Sequence, residues 1–211
     1  MIKEKRAAIV LSILNKLFPS PPIPLKHKDH YTLLIAVLLS AQCTDKKVNE
    51  ITPKLFAKAS DPYEMVELTV KQIESIIRPC GLAPTKAKAI HRLSEILIDD
   101  YQGKIPRTPE ELEALPGVGH KTASVVTIQA LKKPAFPVDT HIHRCAKRWG
   151  LSCGKNVKQT EKDLKTVFPK TTWKKLHLQI IYYARQYCPA KKHSIDECPI
   201  CNALRSRAKI N

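Results

Sequence analysis

Leu115-Pro116-Gly117-Val118-Gly119-His120-Lys121-Thr122 is the stretch whose reading decides the fold of this chain. It falls between two segments of helical periodicity, with Val138-Asp139-Thr140-His141 a short way downstream. Gly117 and Gly119 lack the side chain that bars positive φ, so they predict a tight turn whose backbone amides lie open to an anion. The helix that follows begins with N–H groups that have no intrahelical partner, which suits them to a phosphate. Lys121 enters its first turn, either as a point charge on phosphate or as a nucleophile. Amines attack only when neutral, and helix N-termini, neighbouring cations and burial all favour the neutral form. A phosphate cradle beside an amine points to chemistry on a nucleic-acid backbone or sugar. A generic helix hairpin is the plainer alternative.

The balance of charge favours a polyanionic partner. The 211 residues hold 36 Lys and Arg against 19 Asp and Glu, a formal net charge of +17. Such an excess suits DNA, RNA or an anionic membrane surface. The most apolar run, Leu33 to Leu39, is far shorter than the ~20 residues of a spanning helix. Met1-Ile2-Lys3-Glu4-Lys5-Arg6 carries charges of both signs and no signal-peptide core. The expectation is a cytoplasmic, nucleoid-associated protein with a nucleic-acid partner and no membrane. Seven cysteines, an odd number dispersed except near the C-terminus, argue against a disulfide scaffold.

Periodicity predicts an all-α chain. Ile9, Val10, Ile13, Leu14 and Leu17 share one helical face over 6–18, before the proline-rich connector at 19–24. Residues 31–42 are apolar on most sides, as a central buried helix would be, and Thr44-Asp45 caps a helix through Phe56 with Pro53 inside it. Further helices are expected over 62–68, 70–78, 85–101, 109–114, 120–131, 140–149, 157–167 and 172–187. Thr108-Pro109-Glu110-Glu111 is a strong start signal: a cap, a proline in the first turn, then acids at the positive end of the dipole. The connector and the Lys132-Lys133-Pro134 break predict two helical domains. One is a central domain, 22–133, carrying the hairpin. The other joins 1–21 to 134–211, and a cleft separates the two.

Asp139 stands at the cap position of a helix. Capping is its simplest role, yet a carboxylate facing DNA otherwise opposes binding. Stabilising a cationic sugar or assisting proton transfer is the functional reading. His141, His143 and Arg144 follow within two turns; the two histidines face different directions and suit phosphate contact or packing rather than a metal. Gln42 ends the apolar segment Leu39-Ser40-Ala41-Gln42.

These residues together resemble the endonuclease III family of DNA glycosylase/lyases, in the helix-hairpin-helix-GPD superfamily. The resemblance runs through Leu39 to Gln42 with Thr44-Asp45, Gly81-Leu82, Leu112 to Ala123, Val138 to Ile142 and Gly154-Lys155-Asn156-Val157. It implies a two-lobed, monomeric all-α enzyme with DNA bound between the lobes. The enzyme would remove oxidised pyrimidines from double-stranded DNA and act at abasic sites. Lys121 matches the lysine that forms a Schiff base with the sugar, after which β-elimination cuts the strand 3′ to the lesion. Asp139 matches the aspartate that this chemistry needs. Gln42 and Leu82 match residues that fill the gap left by a flipped nucleotide. Gly117, Gly119, His120, Thr122, His141 and Arg144 are the remaining expected DNA contacts.

The resemblance also implies a 4Fe-4S cluster, and here the chain departs from the family. Its cysteines read Cys188-x9-Cys198-x2-Cys201, with a first spacer longer by three and Arg207 where the fourth cysteine belongs. Such clusters use four thiolates. An incomplete cluster motif, a tetrahedral zinc site adding His193 to the three cysteines, or a basic loop without metal (Lys191, Lys192, Arg205, Arg207) all remain open. Cys43, Cys80, Cys145 and Cys153 read as packing or surface thiols. Two other functions compete. A non-catalytic helix-hairpin-helix DNA-binding module explains charge and hairpin but leaves Lys121 with Asp139 unexplained. Adenine-mismatch glycosylases of the same superfamily lack the lysine and carry a further C-terminal domain.

Overall fold

The computed structural model describes residues 2–206. Twelve α-helices and no strand occur among them: α1 (Lys3–Leu17), α2 (His30–Leu39), α3 (Asp45–Phe56), α4 (Pro62–Glu67), α5 (Val70–Ile77), α6 (Ala83–Tyr101), α7 (Pro109–Ala114), α8 (His120–Gln129), α9 (Thr140–Arg148), α10 (Val157–Val167), α11 (Trp173–Gln186) and α12 (Pro199–Ser206). None is long and apolar enough to cross a membrane. Two compact units divide the chain: Ile23–Lys133, and Met1–Pro22 with Pro134–Asn211. The prolines at Pro22 and Pro134 stand at the two passages, where a missing N–H and a fixed φ interrupt helix.

In the central unit, α2 forms the axis. Residues 31–39 are all buried, and the helix packs on α3, α6 and α8. Full burial of each Leu or Ile there contributes roughly 1.5–3 kcal/mol, so the helix forms by tertiary packing. Its start is fixed by a capping box. The Asp29 carboxylate accepts the Thr32 amide at 2.8 Å, and the Thr32 hydroxyl accepts the Asp29 amide at 3.0 Å. The apolar pattern predicts helix to Gln42, but α2 stops at Leu39, and Gln42 adopts φ 53° in the left-handed region. Ser40 is the C-cap: its amide and hydroxyl take up carbonyls of the last turn, and no glycine marks the stop.

In the other unit, α1 lies against α10, α11 and α12, and α9 against α10 and α11. Trp149 and Tyr183 meet edge to face at 5.7 Å, and Phe18 and Tyr187 complete the aromatic core. Gln179, fully buried on α11, donates to the carbonyls of Leu14 (3.2 Å) and Phe18 (2.8 Å), satisfying the C-terminal end of α1. One helix departs from expectation. The residues after Cys198 form α12, which buries Ile200 and Leu204 one turn apart, where the sequence predicts a cysteine loop. Arg207 and the remaining residues to 211 lie outside the described region.

Candidate active site

The hairpin is built from α7 and α8. Thr108 and Glu111 form the capping box that starts α7, and the Val118 amide closes the turn on the Leu115 carbonyl at 3.1 Å. Gly117 has φ +76°, and an added Cβ would meet the Ala89 Cβ at 2.8 Å, so glycine is required by conformation and by packing. Gly119 differs from the expectation of positive φ. It caps α8 in an extended conformation at φ −91°, with open space where a Cβ would stand. No side chain caps α8 there, so an anion can approach its N-terminus closely.

Lys121 is the second residue of α8 and is exposed; Thr122 behind it is half-buried. His120, an expected DNA contact, pairs with the Glu113 carboxylate at 2.7 Å, across the hairpin. That contact braces α7 against α8.

Gln42 and Leu82 sit side by side in the same unit. Both are exposed, and both hold left-handed φ values, 53° and 63°, which cost a non-glycine residue energy. A Cβ added at Gly81 would stand 3.6 Å from the Gln42 carbonyl, so the two loops touch. Beneath them lies a residue that sequence reasoning misses. Lys86, buried on α6, donates to the carbonyls of Leu39 (2.9 Å) and Ala41 (2.7 Å). Burial holds its amine below the usual lysine range, while the two carbonyls satisfy its charge. Its sequence signal is a lysine on the apolar stripe of Ala83, Ala87 and Ile90. The thiols of Cys43 and Cys80 lie under the same loops. Burial, and then the hydrogen bond to Cys43, push Cys80 up to about 12.

In the other unit Asp139 caps α9: its Oδ1 accepts the Ile142 amide at 2.8 Å. Val138, just before it, is buried, and Asp139 itself is half-buried, so the carboxylate is held in a fixed orientation at a helix start. His143 bonds Thr160 at 2.8 Å. Arg144, expected on DNA, contacts His141 at 3.2 Å and donates to the Cys188 carbonyl at 3.0 Å. Arg148 reaches the same turn, donating to the carbonyls of Pro189 (2.6 Å) and Ala190 (3.2 Å). Through these two arginines α9 is tied to the turn after Cys188.

That turn leads into a Cys/His group that could hold a metal ion. The ligand atoms of Cys188, His193, Cys198 and Cys201 all lie within 4.8 Å of one another. Cys145, which reads from sequence as a packing thiol, is a buried neighbour of Cys188. With Cys198, Cys201 and Arg148 it holds the Cys188 thiol well below the ordinary range.

Comparison with known proteins follows the same lines. Residues 35–170 match the model of the HhH-GPD superfamily base excision DNA repair proteins. The chain is 38% identical to endonuclease III of Bacillus subtilis (strain 168), covering 99% of this chain and 96% of that protein. It is 39% identical to endonuclease III of Escherichia coli (strain K12) over the whole of both. Among solved structures, it is similar to a trapped endonuclease III–DNA covalent intermediate, with a TM-score of 0.90 and 38% identity. The match covers 99% of this chain and all of that one. A non-covalent endonuclease III–DNA complex gives a TM-score of 0.91 with the same identity and coverage.

Proposed function

The chain belongs to the endonuclease III family within the HhH-GPD superfamily, and from that premise we propose that Lys121 and Asp139 carry its chemistry on oxidised pyrimidines in duplex DNA. The activity is that of a base-excision DNA glycosylase with AP lyase activity, and its substrate is DNA. A non-catalytic DNA-binding module and an adenine-mismatch glycosylase are not favoured. The observation that carries the residue assignment is the setting of Lys121. It is exposed, in the first turn of a helix whose N-cap glycine leaves room for a phosphate.

The Lys121 Nζ bonds to C1′ as the C1′–N bond to the base breaks, and the base leaves with the electron pair and a proton. Ring opening gives the Schiff base. Loss of a C2′ proton then expels the 3′ phosphate oxygen, and hydrolysis of the product imine returns the amine. Asp139, oriented by its cap, stabilises the positive charge that develops on the sugar. Gln42 and Leu82 fill the gap in the duplex, offsetting an unstacking cost of a few kcal/mol. Gly117, Gly119 and Thr122 shape the phosphate contact; His120, His141 and Arg144 serve it by holding the hairpin and α9 in place. The protein acts as a monomer with the nucleoid in the cytoplasm.

Borohydride reduction tests the assignment. It should trap wild-type protein covalently on duplex DNA containing an oxidised pyrimidine or an abasic site. Lys121→Ala should retain DNA binding and lose the adduct. Undiminished strand cleavage by Lys121→Ala overturns the lysine mechanism.

A further inference from the structure

The C-terminal donor set does not match the four-iron cluster of the family. A cubane places each of four thiolates on a different iron, and so spreads them widely. Here three sulfurs and one imidazole converge within 4.8 Å, and Arg207, at the place of the fourth cysteine, has no lone pair to offer a metal. A single tetrahedral ion with bonds of about 2.0–2.3 Å sets its donors roughly 3.3–3.8 Å apart, close to the observed gathering.

Two further observations point to one ion. The His193 Nε2 is buried and has no hydrogen-bond partner, a costly state for an imidazole nitrogen unless a ligand takes it up. Tyr183 Oη accepts the Ile200 amide at 2.8 Å, so its own proton is free to point at the Cys198 sulfur, 3.1 Å away. Arg148 likewise donates to the Cys188 sulfur at 3.4 Å. Outer-shell donors of this kind are what metal-bound thiolates recruit.

We infer that Cys188, His193, Cys198 and Cys201 bind one zinc ion in place of an iron–sulfur cluster. The ion closes the 188–198 loop and pins the first turn of α12, which carries Cys201. It therefore fixes the carbonyls of Cys188, Pro189 and Ala190, on which Arg144 and Arg148 anchor α9. Its bearing on Asp139, at the head of that helix, rests on the catalytic reading above. The metal assignment does not.

The test is metal analysis of the full chain purified anaerobically without added metal, together with its visible spectrum. Stoichiometric zinc and a colourless protein are expected. Iron with acid-labile sulfide and a broad visible band overturns the inference, as does protein without stoichiometric metal. His193→Ala should bind zinc at least tenfold more weakly in a chelator competition; unchanged affinity removes His193 from the site. Should that variant fail to fold, the wild-type protein decides. Chelation should lower its melting temperature and zinc should restore it, and exchange with Co2+ should give the absorption of a tetrahedral thiolate site. A melting temperature indifferent to chelator overturns the inference. Borohydride trapping through Lys121, scored separately, distinguishes a failed metal assignment from a failed catalytic one.

Discussion

Lys86 shows how much a single buried residue can decide. Two loops hold Gln42 and Leu82 in left-handed conformations that neither residue favours, so something must over-determine them. The Lys86 ammonium does this for the first loop, binding the carbonyls of Leu39 and Ala41 just before Gln42. Replacing it by Met removes two charge-assisted hydrogen bonds and leaves the buried Leu39 carbonyl without its partner, at a cost of about 1–3 kcal/mol in urea unfolding. The functional consequence separates positioning from stability. A gap-filling role matters only where a partner strand is present, so Lys86→Met should slow cleavage of an abasic site in duplex DNA several-fold. Cleavage in single-stranded DNA should be spared. Equal losses on both substrates would sink the positioning role. At this scale the sequence is partly legible. Gln42, Leu82, Lys121 and Asp139 stand out by motif, whereas Lys86 is separated by 47 residues from Leu39 and looks like one more surface cation. Only its place on an apolar stripe hints otherwise. His120 and Arg144 are residue types suited to DNA, and nothing local tells that Glu113 and the Cys188 carbonyl engage them.

Elements are read best where a cap and a periodic face agree. Helix α10 begins and ends at the expected residues because Asn156 caps it, accepting the Gln159 amide at 2.7 Å. Helix α12 escapes because no Ser, Thr, Asp or Asn stands immediately before Pro199, and its cysteines draw attention to ligation instead of to Ile200 and Leu204. Helix α9 raises the sharper question, since one carboxylate both starts the element and is assigned to the chemistry. Substitution can divide the two tasks. Asparagine caps about as well as aspartate, so Asp139→Asn should stay within a few tenths of a kcal/mol of wild type, while Asp139→Ala loses about 0.5–2 kcal/mol. Both should bind DNA and turn over slowly, because neither supplies negative charge to the sugar. Single-turnover kinetics beside urea melts would show this; near-normal turnover by Asp139→Asn would reduce the residue to a cap.

At the scale of the molecule the excess of 17 positive charges is the property that no single element explains. Three kinds of basic residue contribute differently. Some are used internally: Lys86, Arg144 and Arg148 bind carbonyls, and Lys133 donates to the Arg107 carbonyl at 2.7 Å. Others are offset by neighbouring acids, as Lys47 is by Glu50 and Arg92 by Glu95. A third kind, Lys46, Lys54 and Lys132 among them, is exposed and can neutralise phosphates, each contact releasing counterions from the duplex. Binding to undamaged DNA should therefore weaken with salt along a straight line in logarithms, with a slope near −0.9 per phosphate neutralised. Roughly four such contacts would raise the dissociation constant about a hundredfold between 50 and 200 mM salt. The chemical step should respond otherwise, because the Lys121 attack occurs within a complex already formed. Single-turnover trapping at saturating protein should stay nearly constant across the same range, while trapping at limiting protein falls with binding. A salt-independent dissociation constant would mean that the excess charge serves solubility alone. A chemical step falling in parallel with binding would mean that phosphate contacts organise the site as well as recruit it.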